Sequence, residues 1–248
     1  MGKVYLVGAG PGDPGLLTLR GREVLERCDT VVYDALVNPA ILDFAPPEAE
    51  RIDAGKRCGR SGMTQPEIHS LLIARARRGE IVVRLKGGDP FLFGRGGEEA
   101  LALSNAGVEW EAAPGVSSAL AAPAAAGIPV THRGLSSSLA VLTAHDPGRV
   151  DWRAAAAFDT VVFLMAWQHL EKICEGLRDQ GRAGETPAAV IQYGSWPEQR
   201  AVAADLASIA PVARAEGLGP PAVLVVGDVV SLAEKLRPEC ILTLSSSI

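Results

Sequence analysis

Aromatic residues make up only 5% of this 248-residue chain, so its cores must be built from Ala, Val, Leu and Ile. Cysteine is equally sparse. Cys28, Cys58, Cys174 and Cys240 stand far apart without paired spacing, which argues against a zinc site and against a disulfide framework. Reduced thiols and a cytoplasmic protein are the expectation. The four histidines, His69, His132, His145 and His169, also lack metal-ligand spacing, and no metal is expected. No apolar run approaches the roughly 18 residues needed to cross a bilayer. The opening MGKVYLVGAG enters a strand pattern without a signal-peptide core, so no membrane partner is expected. The net charge of −5 makes nucleic acid an unsuitable default partner. A GxSxG elbow, a Walker lysine pattern and a repeat of fixed period are absent too.

What is present is an alternation of short apolar runs with helical patterns, which makes both halves of the chain α/β. The division is expected as residues 1–113 and 114–245, each an open sheet flanked by helices. Residues 199–205 are short and polar like an edge strand, so the second half is expected to contain antiparallel pairing. The most informative stretch is IVVRLKGGDPFLFGRGGEE at residues 81–99. A buried strand there runs out into a loop with two glycine clusters around Phe91-Leu92-Phe93. Glycine lets a ligand approach bare main chain, and open α/β sheets bind ligands beyond the carboxyl ends of their strands. A plain solvent connector started by Asp89-Pro90 is the competing reading. Between Arg51 and Arg95 stand ten basic residues against four acidic ones, a balance that suits an anionic small molecule. Arg75, Arg77 and Arg78 fit a solvated helix face instead.

A second glycine loop follows the first strand as GAGPGDPG, residues 8–15. The dinucleotide fingerprint requires glycine three places after Gly10, where Asp13 stands. Pro11 also removes a backbone donor, so a nicotinamide cofactor becomes a minority reading. Asp34 ends the second strand, residues 30–33. It reads as a ribose acid, as a catalytic base or as a solvated strand-end carboxylate. Ser117 and Ser118 follow Pro114-Gly115-Val116 at the start of a small-residue helix, where they either present hydroxyls to a ligand or simply cap.

In order along the chain, GAGPGDPGLLTLRG, VVYDALV, AGKRCG, RLKGGDPFLFGRGGEE, PGVSSA and GIPVTHRG resemble the tetrapyrrole methylase family, in its branch acting on uroporphyrinogen III. The resemblance covers nearly the whole chain. It implies a two-domain α/β homodimer with S-adenosyl-L-methionine in the interdomain cleft. It also implies two successive methylations of uroporphyrinogen III, through precorrin-1 to precorrin-2, for sirohaem or cobalamin synthesis. By the same resemblance the cofactor pocket is carried by Pro11, Gly87, Gly88, Asp89, Leu92, Ser117, Ser118, Met165 and Gly194. Asp34 matches the family's proton acceptor and Lys56 its proton donor. Arg57, Arg60, His132 and Arg133 are expected to hold substrate carboxylates. Two departures stand out: Leu164-Met165-Ala166 where the family often has Tyr-Met-Gly, and Gly194-Ser195 where it often has Gly-Thr. Competing readings are a methylase acting on a later corrin intermediate and a non-catalytic tetrapyrrole- or nucleotide-binding regulator.

Overall fold

The computed structural model describes residues 2–55 and 62–236. The chain divides into two compact units, Met1–Ser117 and Ser118–Ile248.

The first unit carries β1 (Lys3–Gly8), α1 (Leu19–Leu25), β2 (Thr30–Tyr33), α2 (Pro39–Leu42), β3 (Glu50–Asp53), α3 (Gln65–Arg77), β4 (Ile81–Lys86), α4 (Gly96–Asn105) and β5 (Glu109–Ala113). Its five strands are all parallel, in the order β3-β2-β4-β1-β5. A parallel sheet is covered on both faces, so its strands read as continuous apolar runs. Side chains still alternate in direction along each strand. Val7, Val31, Val83 and Leu85 pack with Val24 and Leu25 of α1 and Ile41 of α2. Val4, Leu6, Val32 and Val82 pack on the other side with Ile68 and Leu72 of α3 and Leu103 of α4. α3 starts where Thr64 donates its backbone N–H to the Glu67 carboxylate at 2.6 Å, a capping box with Pro66 in the first turn. Because all five strands point one way, their carboxyl ends deliver five loops to one edge of the unit.

The second unit carries α5 (Ser118–Ala125), β6 (Leu139–Thr143), α6 (Trp152–Ala157), β7 (Thr160–Leu164), α7 (Leu170–Asp179), β8 (Pro187–Gln192), β9 (Arg200–Asp205), α8 (Ile209–Ala215) and β10 (Ala222–Val226). Its sheet runs β6-β7-β10-β8-β9. β6 and β7 are parallel, β10 is antiparallel to both β7 and β8, and β9 is antiparallel to β8. The polar strand expected at an edge is β9, at the end of this sheet. Phe163, Ile173, Leu177 and Ile209 build the core under α6, α7 and α8. Ala119 and Ala122 of α5 pack with Val162, Ile191 and Val225 on the opposite face. No helix among the described residues is long and apolar enough to cross a membrane.

Candidate active site

The loops after β1, β4 and β5 meet at their glycines. Gly10 and Gly88 form an isolated antiparallel bridge, with the Gly88 N–H donating to the Gly10 carbonyl at 2.7 Å and the return bond at 3.2 Å. A Cβ on Gly115 would lie 2.2 Å from the Gly88 carbonyl oxygen and 2.6 Å from the Gly8 Cα. Only hydrogen fits at that junction, which is why these loops carry glycine. Asp89 locks the arrangement. One carboxylate oxygen accepts from the Phe91 and Leu92 amides at 2.8 and 3.1 Å, and the other accepts from the Gly115 amide at 3.0 Å. The Asp89 side chain is therefore committed to holding two loops together. Beyond it, Phe91, Leu92 and Phe93 are exposed.

Asp13, at the place of the missing third glycine, accepts from the Gly15 amide at 2.7 Å and opens a single turn of 3-10 helix at Pro14–Leu16. Its carboxylate thus starts a turn, a different use from a glycine cradle for pyrophosphate. Gly12, next to Pro11, accepts a hydrogen bond through its carbonyl from Asn38 Nδ2 at 2.8 Å, tying this loop to the one after β2.

Asp34 sits in that second loop. Its N–H donates to the Leu85 carbonyl at 3.2 Å and its own carbonyl accepts from Val37 at 3.1 Å. A Cβ on Gly55 would meet the Ala35 backbone nitrogen at 2.3 Å, so the end of β3 presses directly on this loop. The Asp34 carboxylate is one-third exposed and is paired with Arg84 Nη2, while Lys86 Nζ lies 3.8 Å from its other oxygen. Arg84 and Lys86 are themselves buried, at 2% and 3% exposure. Both meet Glu99 Oε1 of α4, at 3.1 and 2.9 Å, and Gln65 of α3 donates to the same oxygen at 3.0 Å.

Sequence reasoning missed this cluster, counting Arg84 and Lys86 among charges available to an anionic ligand. The signal was their parity. Val82, Arg84 and Lys86 point to one face of β4, as Val32 does from β2 with Asp34 just past that strand's end, and Val32 stands opposite Arg84 in the register. That face is covered by α3 and α4, so charges on it must be neutralised internally.

The structure gathers Pro11, Asp34, Gly87, Gly88 and Asp89 on the carboxyl-end edge of the first unit's sheet, with Leu92 in the following loop. Ser117, which closes this unit, is buried at 9% exposure. Ser118 opens α5 of the second unit, and Met165 and Gly194 follow β7 and β8 there. A Cβ on Gly194 would lie 2.3 Å from that of Ala122, so α5 requires glycine at this position. Among the described residues, the non-glycine positions with left-handed backbone are Phe93, Arg95, Met165, Tyr193 and Ser195. All five fall in the loops after β4, β7 and β8, and strain of this kind concentrates at functional sites. His132 and Arg133 are exposed in a tight turn closed by backbone bonds between His132 and Ser136. Lys56, Arg57 and Arg60 lie outside the described residues.

A parallel sheet covered on both faces, with glycine loops at its carboxyl edge beside a held carboxylate, defines an open-sheet α/β protein, a class whose ligands sit beyond the carboxyl ends of the strands. The chain belongs to the tetrapyrrole (corrin/porphyrin) methylase family, whose profile matches residues 3–210. It is 48% identical to an S-adenosyl-L-methionine-dependent uroporphyrinogen III methyltransferase of Methanosarcina barkeri, across 95% of this chain and 94% of that one. It is 47% identical to a uroporphyrinogen-III C-methyltransferase of Synechocystis, across 96% and 93%. Among solved structures, a uroporphyrin-III C-methyltransferase of Thermus thermophilus complexed with S-adenosylhomocysteine superposes with a TM-score of 0.80 at 42% identity, covering 93% of this chain and all of that one.

Proposed function

We propose that the chain is an S-adenosyl-L-methionine-dependent C-methyltransferase that converts uroporphyrinogen III through precorrin-1 to precorrin-2, supplying sirohaem or cobalamin synthesis. The observation that carries this reading is the company Asp34 keeps. A one-third-exposed carboxylate, beside two buried cations, lies on the same sheet edge as the glycine loop that bridges to Gly10.

The residues suit this cofactor. Gly88 spends both its N–H and its carbonyl on Gly10, so the glycine doublet suits close approach by lacking side chains, and exposed Phe91, Leu92 and Phe93 offer apolar surface to an adenine face. Pro11, Asp89, Ser117, Ser118, Met165 and Gly194 complete the proposed set. When bound, S-adenosyl-L-methionine supplies an electrophilic methyl group to an electron-rich pyrrole carbon. The protein's share is alignment, which can contribute about 7–11 kcal/mol in well-oriented reactions. Asp34 then takes the proton that the methylated macrocycle must lose, and Lys56 is the proposed donor. Arg57, Arg60, His132 and Arg133 hold the substrate's carboxylates. The enzyme works as a homodimer in the cytoplasm.

The test is an anaerobic incubation with uroporphyrinogen III and S-adenosyl-L-methionine, read by mass spectrometry. The product should be heavier by two methyl groups. Cofactor binding without any mass gain would reject the substrate, and parallel incubation with precorrin-2 would reveal a methylase of a later step.

A further inference from the structure

We propose that Glu99 is a positioning residue for proton abstraction, one whose charge offsets the buried cations Arg84 and Lys86 that hold Asp34 while Asp34 carries the abstracted proton. This inference rests on Asp34 being the base of the proposed reaction. Four charges make the cluster: two cations, Arg84 and Lys86, and two carboxylates, Glu99 and Asp34. Three of them are sealed from water, with Glu99 at 0% exposure, and Asp34 alone reaches the surface.

Glu99 uses one oxygen for Arg84, Lys86 and Gln65 together. Its other oxygen, Oε2, is buried and has no hydrogen-bond partner among the described residues. A glutamine would serve as acceptor for the same three donors. What glutamine lacks is the negative charge, so the charge is the feature whose retention needs a reason. Protonation of Asp34 leaves the cluster with one net positive charge while Glu99 is ionised. Without the Glu99 charge it would leave two, side by side in a low-dielectric interior. Glu99 thereby balances one of the two cations while Asp34 holds the proton. The other charged or titratable groups on these elements are Glu98 of α4, ion-paired with Arg95, Glu67, His69, Arg75 and Arg77 of α3, Tyr33 of β2, and Glu50, Arg51 and Asp53 of β3; Glu67 is held in the α3 capping box, Arg75 pairs with Glu50, and the Asp53 carboxylate accepts from the Gly55 amide.

The experiment measures kcat against pH with uroporphyrinogen III, and S-adenosylhomocysteine affinity by calorimetry, for Glu99→Gln, Lys86→Met, the double variant and Glu99→Asp. Glu99→Gln should lose about tenfold in kcat near neutrality, with homocysteine-product affinity unchanged. The double variant, which restores the charge balance, should recover to within about threefold of wild type. Glu99→Asp should retain activity to a similar degree. A double variant worse than either single, or Glu99→Asp as impaired as Glu99→Gln, would mean that packing rather than charge matters and would overturn the proposal. Asp34→Ala separates the two levels. If it stays active, the base assignment falls and this inference with it; if it is inactive while Glu99→Gln turns over normally, only this inference falls.

Discussion

Replacing Asp89 by alanine removes the acceptor for three backbone amides at once. The Gly115 bond is partly buried, and a bond of this kind to a charged acceptor contributes about 1.5–3 kcal/mol. The Phe91 and Leu92 amides are exposed, so water replaces much of their loss and each adds only about 0.5 kcal/mol. The sum, about 2.5–4 kcal/mol, falls on the order of the 87–92 loop and on its tie to the loop after β5. If cofactor binding requires that ordered loop, the substitution weakens S-adenosylhomocysteine binding by roughly 60- to 700-fold. The thermal midpoint should fall much less, because the loop lies outside the hydrophobic clusters that build the first unit. Asp89→Asn keeps a neutral acceptor for the Phe91 and Leu92 turn and should show an intermediate loss. Isothermal titration calorimetry paired with differential scanning fluorimetry reads both quantities. Wild-type affinity in Asp89→Ala would refute the claim that these bonds prepare the cofactor loop.

Three further outcomes are expected. Gly115→Ala drives a methyl group into two backbone segments and should cost about 1–3 kcal/mol in urea unfolding; Gly97→Ala, with open space around its Cβ in helix α4, should be neutral or stabilising. Glu99→Ala leaves two buried cations facing a single carboxylate and should destabilise the protein by about 3–5 kcal/mol in the same assay. Burial pushes the Cys28 and Cys174 thiols up to about 11. Their folded values lie above the unfolded one near 9, so their contribution to stability is complete below pH 9 and is lost as pH rises through 11. Alkylation by iodoacetamide at pH 8, followed by peptide mass mapping, should spare both thiols until the protein is unfolded.

Much of this architecture was legible because its signals are local. The apolar runs of β1, β2, β4, β7 and β10 mark strands, and glycine at their ends marks the loops. β9 declared itself as an edge strand by its polarity. Other features depend on tertiary neighbours. α4 begins at Gly96, ahead of the first clearly helical residues, because Arg95 takes a left-handed conformation at its N-cap. Arg84 and Lys86 look like surface charge in sequence. Their neutralising partner, Glu99, lies on a helix beyond the glycine loop, and only the stacking of α4 on the even-numbered face of β4 brings them together. Likewise Asp89 carries a charge suited to ligand binding, yet its three amide contacts appear only once the loop after β5 is brought alongside.

The most direct test is a crystal structure of the protein with S-adenosylhomocysteine. The ligand should lie against Gly87 and Gly88, beside Leu92, on the sheet edge that carries Asp34. A ligand bound away from these glycines would rule out cofactor binding at this sheet edge.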